Sequence, residues 1–404
     1  MAPPAARPTI SQTEFIALMA MLFATIAFSV DSMLPAMPEI TAELTPDAPN
    51  RAQLIITSFV LGMGIGTLFT GPLSDAFGRK PIILAGAVLY CIASVLAWIS
   101  NDLETVLIAR VLQGLGAAGP RVASLAIVRD LFSGREMARL MSFIFLVFSL
   151  FPAVAPAMGA GIIWFTGWRG IFGAFIIFAI VSNLWLSLRL SETLQPVNRR
   201  PFSAADLWAG TKEVVGVKIV RQVIVVQSLG FGMLFAVLSA TQQVFDFTFG
   251  YADSFPIWFA AIALLAASSS MVNARYVKQF GMRPIIRLTL IGQATISVAV
   301  SLLWVSGVVT GHLDFALFFL WTTSVFFMAG LTFGNLNTLA MEPMGHRAGL
   351  TASVVGSVAT VFGAVIGALI GQAFDGTPLP LAVGSAICAV IGALITSRME
   401  RIKA

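Results

Sequence analysis

From end to end, long apolar runs alternate with short polar breaks. A bilayer core takes about 20 mostly apolar residues per helix. Twelve stretches meet that requirement, at 14–37, 52–73, 81–100, 104–126, 139–163, 168–189, 221–246, 254–273, 284–307, 314–338, 347–371 and 379–397. The longest polar interval contains Pro196, Arg199, Arg200 and Pro201. It divides the chain into a six-helix bundle (1–189), a linker (190–220) and a second six-helix bundle (221–404). Within the linker, Ala204 to Val217 predicts a short amphipathic helix lying on the membrane surface. FGRKPII, from Phe77, is echoed by FGMRPII, from Phe280, at the corresponding place in the second half. The predicted fold is therefore an all-α membrane protein of twelve transmembrane helices, built as two bundles related by a pseudo-two-fold axis.

Composition agrees with the pattern: 58% of residues are hydrophobic and only 11% charged, against about 25% charged in a soluble domain. Cys91 and Cys388 both fall in apolar runs, so no disulfide framework is implied. After the first run comes SMLPAMP, without a small-residue cleavage site, which reads as a retained first helix and not a signal peptide. With a cytoplasmic N-terminus, twenty of the 24 Lys and Arg fall on the cytoplasmic side, among them Arg79, Lys80, Arg129, Arg199, Arg200, Arg283 and Arg287. That places both termini in the cytoplasm and explains the net charge of +5 without a nucleic-acid partner.

Charges inside the apolar runs are few, and intramembrane ions mark function by default. Asp31 is the only acid well inside a run, and Arg110 and Arg121 both lie in the fourth. The two arginines are eleven residues apart, which puts them on one helix face about 16 Å apart along the axis, with Gln113, Gly114 and Ala117 between. Counting from the outer helix ends, Asp31 and Arg110 sit at similar depth. Their pairing is expected either as a coupling switch, released when Asp31 is protonated, or as a structural salt bridge. Gly114-x-Gly116-x-x-Gly119 matches a dinucleotide fingerprint formally, but that fingerprint needs a preceding strand and here lies mid-membrane. Gly62 with Gly66, and Gly363, Gly367 and Gly371, repeat every fourth residue and predict close helix packing. Pro152, Pro156, Gly159 and Gly161 are expected to soften and narrow the fifth helix.

In GPLSDAFGRK (Gly71 to Lys80), Gly78 permits a tight turn and Asp75 is placed to cap or brace a helix N-terminus. Its spacing resembles the loop 2–3 motif of major facilitator superfamily transporters. That resemblance implies a conformational latch between the two halves, carried by Gly71, Asp75, Gly78, Arg79 and Lys80. In the second copy Lys278 stands where Asp75 would fall. Arg110, Gln113 and Gly114 resemble the family's helix 4 motif R-x-x-Q-G, and FPAVAPAMGAGI partly resembles its helix 5 antiporter motif. Asp31, four positions before Pro35, resembles the helix 1 acid of proton-coupled drug antiporters.

Across nearly the whole chain the resemblance is to the drug-resistance branch, and within it to alphaproteobacterial carriers that take up copper or riboflavin. Copper members have Met-x3-Met in helix 7 and His-x3-Met in helix 8; here Met233 is followed by Val237, and helix 8 has no His. Soft copper needs thioether, thiolate or imidazole ligands, so copper import is disfavoured and no metal site is expected. Substrate-binding candidates are Gln227, Met233, Gln242 and Gln243 in helix 7, Trp258 in helix 8, and Asn335 and Asn337 in helix 10, suiting a planar polar solute near the midplane. No nucleotide-binding loop, catalytic triad or paired catalytic acids occur, so an enzyme or primary pump is not expected, and no cofactor is implied. The expectation is a monomeric secondary transporter of the bacterial inner membrane. Riboflavin uptake comes first and proton-coupled multidrug efflux is the alternative.

Overall fold

The computed structural model describes residues 10–399. Twelve long helices form: α1 (Gln12–Asp31), α2 (Leu54–Phe77), α3 (Arg79–Ile99), α4 (Leu103–Leu131), α5 (Gly134–Thr166) and α6 (Gly170–Arg189), then α7 (Lys218–Gln243), α8 (Phe255–Phe280), α9 (Met282–Ser306), α10 (His312–Met341), α11 (Ala348–Gln372) and α12 (Leu379–Ser397). No strand is present among the described residues. Among the described residues, eleven helical stretches are long and apolar enough to cross a membrane, because His312–Gln372 counts as one stretch of 61 residues. Such a helix would be about 90 Å long, three bilayer cores. Two spans result because Glu342–Arg347 tightens into a 3-10 turn, with Pro343 at its start and Met344 outside helical geometry at φ −119°, ψ 33°.

The first span also ends differently from the apolar run. α1 stops at Asp31, and Pro35 and Pro38 divide the next segment into a 3-10 turn (Leu34–Ala36) and a short helix (Met37–Leu44). Between α6 and α7 the expected short helix spans Ala204–Gly216.

The helices form two compact units. One comprises 10–36 with Ser58–Ala209, the other Met37–Thr57 with 210–399. In the first, α3 packs on α4 and α6, and α1 on α5; in the second, α9 packs on α10 and α12, and α7 on α11. The pairing therefore repeats with a shift of six helices, as the echoed turns predict. Glycines set the spacing. Gly62 and Gly66 of α2 abut the α4 backbone at Val111 and Leu115, while Gly363 and Gly367 of α11 receive α7 at Phe231, Gly232, Phe235 and Ala236. The glycines of the false dinucleotide fingerprint serve the same purpose: Gly114 faces α2, and Gly116 and Gly119 face α3.

In the second unit, Glu213 of the short helix meets His346 Nε2 at 2.9 Å and Arg347 Nη2 at 3.2 Å. The His346 hydrogen bond, then the Arg347 charge, holds the Glu213 carboxyl below its usual range. A depressed carboxyl contributes stability above its unfolded value, about 4.3, and loses it as pH falls through the folded value. Hydrogen exchange in Ala204–Gly216 is therefore expected to accelerate below that pH, and more weakly in Glu213→Gln. Equal acceleration in both proteins would refute the assignment.

Candidate functional site

In the first unit, α1, α3 and α4 converge on a buried polar network. Arg110, fully buried, donates from Nη1 to Gln113 Oε1 (2.9 Å) and from Nη2 to the Ser29 carbonyl (2.8 Å). Gln113 Nε2 donates to Ser94 Oγ (2.7 Å), whose hydroxyl donates to the Tyr90 carbonyl (2.7 Å). The Tyr90 hydroxyl shares a 2.6 Å hydrogen bond with Ser29 Oγ. Phe59 of α2 closes one face, its ring centroid 4.5 Å from the guanidinium carbon, and Phe175 of α6 approaches at 5.9 Å. Each polar side chain of this network thus has a partner, as a low-dielectric interior demands.

The expected ion pair is corrected here. Arg110 reaches the depth of Asp31 but binds the backbone two residues earlier, and the ion pairs found among the described residues do not join it to Asp31. Two residues are about 200° of helical rotation. With Ser29 turned toward Tyr90, the Asp31 side chain leaves α1 on nearly the opposite side, where it is 5% exposed. Arg121 is also separate from this network; Nη1 lies 3.7 Å from Met63 Sδ of α2.

The Gly71–Lys80 motif forms a charged knot within the same unit. Arg79 pairs with Asp75 (2.5 Å) and Asp130 of α4 (3.1 Å) and donates to Ser74 Oγ (2.7 Å). Gly78 adopts φ 108°, a region that favours glycine, and a Cβ there would strike the Glu192 carboxylate. Capping is done not by Asp75 but by Glu192, which accepts from the backbone N–H groups of Arg79 and Lys80 at 3.0 Å each. The first turn of α3 leaves those donors open to a carboxylate's two oxygens. Lys80 Nζ satisfies carbonyls at the far end of α6, Ser187 and Leu190 (2.8 and 2.9 Å).

α5 runs unbroken through Pro152 and Pro156. Gly159 abuts the Ser32 backbone just beyond α1, whereas Gly161 faces open space and narrows nothing.

The second-half candidates do not gather in one place. Gln243 receives a 2.5 Å hydrogen bond from Gln53 and donates to the Pro49 carbonyl (3.0 Å). Beside it, Asn50 Nδ2 donates to the carbonyls of Gln372 and Phe374 (3.1 and 2.7 Å) and Gln372 Nε2 returns a bond to the Asn50 carbonyl (2.6 Å). This amide clasp borders a pocket of about 470 Å³ lined by Pro49, Asn50, Arg51, Gln243, Phe247 and Gln372, among others. Gln227 and Gln242 are buried with Oε1 unpaired, and Met233 is fully buried. Asn335 donates to Asn273 Oδ1 of α8 (2.7 Å), and Asn337 is half-buried. Trp258 belongs to an aromatic cluster, its ring 4.9 Å from Phe315 and 5.5 Å from Phe319.

Sequence reasoning missed Ser29, Phe59, Tyr90, Ser94 and Phe175 around Arg110, Glu192 and Asp130 around Arg79, and Asn50, Gln53 and Gln372 at the clasp. Tyr90, one of only three tyrosines and set in an apolar run, was the one available signal.

The profile of the Major Facilitator Superfamily matches residues 17–369. The chain belongs to the major facilitator superfamily. Its members are carriers, not enzymes, and this one is a multi-pass membrane protein. It is 32% identical over 399 residues to a bicyclomycin resistance protein homolog of Haemophilus influenzae, covering 95% of this chain and 96% of that one. It is 26% identical to a chloramphenicol resistance protein of Pseudomonas aeruginosa, covering 86% and 79%. Among solved structures it resembles the Escherichia coli xylose transporter XylE in a partially occluded inward-open conformation. There the TM-score is 0.72 at 13% identity, over 97% of this chain and all of that one, a likeness of fold alone.

Proposed function

We propose that this superfamily member is a secondary carrier that exports small drug-like organic solutes across the bacterial inner membrane, in exchange for protons. The observation that carries the reading is near full-length similarity to a relative named for drug resistance, joined to a carboxyl, Asp31, buried at the end of α1 two residues beyond the Ser29 carbonyl that Arg110 binds. The same relatives favour export over the riboflavin uptake first expected from sequence. Asp31 carries the proton in this scheme, since an ionised carboxylate buried without a cation is costly. Arg110, held by Gln113 and Ser29, fixes α1 against α4, so a change at Asp31 is passed to both helices. The charged knot at Gly71, Asp75, Gly78, Arg79 and Lys80 latches one state of the cycle, and the amides of α7 and α10 contribute to solute binding. Both termini lie in the cytoplasm, as the basic residues favour, and the carrier works as a monomer.

Overexpression in a drug-sensitive strain is expected to raise resistance to bicyclomycin or chloramphenicol. In everted vesicles Asp31→Asn should abolish pH-driven solute movement while leaving solute exchange measurable. Unchanged susceptibility on overexpression, combined with growth rescue of a flavin-auxotrophic strain on low riboflavin, would replace export by riboflavin uptake. Loss of Asp31→Asn protein from the membrane would reassign Asp31 to a structural role.

A further inference from the structure

At the start of α9, a pocket of about 650 Å³ combines two features that belong to different ligand parts. Part of the lining is cationic: Arg283 and Arg287 stand one helical turn apart, and Thr396 and Ser397 of α12 line the pocket as well. Another part is apolar and turned outward, with Phe280, Leu288 and Ile291 of α8 and α9 exposed by 53%, 65% and 42%. Arg283 Nε is buried without an acceptor. No ion pair joins either arginine to an acid among the described residues, although the exposed Glu342 lines the same pocket. The N-terminus of α9 opens here too, preceded by Gly281, which supplies no capping side chain. Free helical N–H groups and guanidinium forks both select oxyanions, especially phosphate. An apolar wall that faces outward from a membrane helix is in contact with acyl chains.

We propose that this pocket binds a membrane phospholipid, its phosphate on Arg283, Arg287 and the first amides of α9, its acyl chain along Phe280, Leu288 and Ile291. Basic pockets between transmembrane helices at the membrane surface hold lipid headgroups in this way. A free phosphate shares the headgroup chemistry but has no use for the apolar wall. Glu342, at the rim, lowers the net charge of the lining to one positive, enough for a single phosphodiester and poorly suited to a polyanion.

The test is native mass spectrometry of the detergent-purified full-length protein with added phosphatidylglycerol. Diacylglycerol of the same chain length serves as the headgroup-free control and inorganic phosphate as competitor. Wild type should retain phosphatidylglycerol and not diacylglycerol, with retention unaffected by millimolar phosphate. Arg283→Gln/Arg287→Gln should weaken retention by at least about ten-fold. Arg287→Gln alone, at an exposed position, should give part of that loss with an unchanged melting temperature. Equal retention by wild type and both variants overturns the proposal. Displacement by inorganic phosphate at the lipid's own affinity assigns the site to free phosphate and overturns the lipid assignment.

Discussion

Arg110→Lys is expected to yield a protein that folds and inserts but moves its solute at least about 100-fold more slowly, a barrier increase of roughly 2.7 kcal/mol. The guanidinium donates with one arm to Gln113 and with the other to the Ser29 carbonyl, while its face lies 4.5 Å from the Phe59 centroid. An ammonium keeps the charge but has neither the fork nor the plane. Lysine therefore satisfies one of the two acceptors at a time, and α1 is no longer held to α4 at a single register. Arg110→Ala goes further, leaving both acceptors without that donor in a buried site, at about 1–3 kcal/mol each. Initial transport rates in proteoliposomes, set beside detergent melting temperatures, separate the two effects. A lysine variant that transports at the wild-type rate would show that charge alone suffices and that the fork has no role.

The second large effect is expected at Gly114. A Cβ there would overlap the Phe59 carbonyl and crowd the Met63 amide, and reciprocally a Cβ on Gly62 would overlap the Val111 carbonyl. These are backbone atoms, so no side-chain rotation relieves the overlap and α2 must move away from α4. Overpacking costs about 1–3 kcal/mol even where side chains can adjust, and Gly114→Ala should reach or exceed that range. Because Phe59 also carries the ring over Arg110, the displacement should lower transport as well as melting temperature. Gly161→Ala provides the contrast. Nothing lies within 4 Å of the added methyl, and replacing glycine in a helix is stabilising by roughly 0.5–1 kcal/mol. Equal melting temperatures for Gly114→Ala and Gly161→Ala would overturn the packing account.

The contrast between these glycines shows how far sequence reaches. Gly159 and Gly161 look alike in the chain, yet one abuts the Ser32 backbone and the other faces open space. A two-residue step on a helix turns a side chain by about 200°, and no local pattern says which side meets a neighbour. The same step separates Ser29 from Asp31 and explains why matched depth did not make an ion pair. The turn at Gly71–Lys80 was legible as a charged motif, and its glycine and basic residues behave as their chemistry requires. Its capping acid, Glu192, lies more than a hundred positions away in a stretch that reads only as polar linker.

By itself, then, the sequence determined what depends on local composition: helices where apolar runs exceed the bilayer thickness, their repeat in two copies, the spacing role of every-fourth glycines, and the presence of costly ions inside the membrane. Solvation and helical periodicity act within a few turns of chain, so these features are written locally. Only the tertiary structure decided which groups those ions meet. The partners of Arg110 come from α1, α2, α4 and α6, those of Arg79 from α2, α4 and the segment after α6, and the mate of Gln243 from the segment before α2. Each depends on the rotation of one helix about its axis, which packing against neighbours sets and hydrophobicity alone does not.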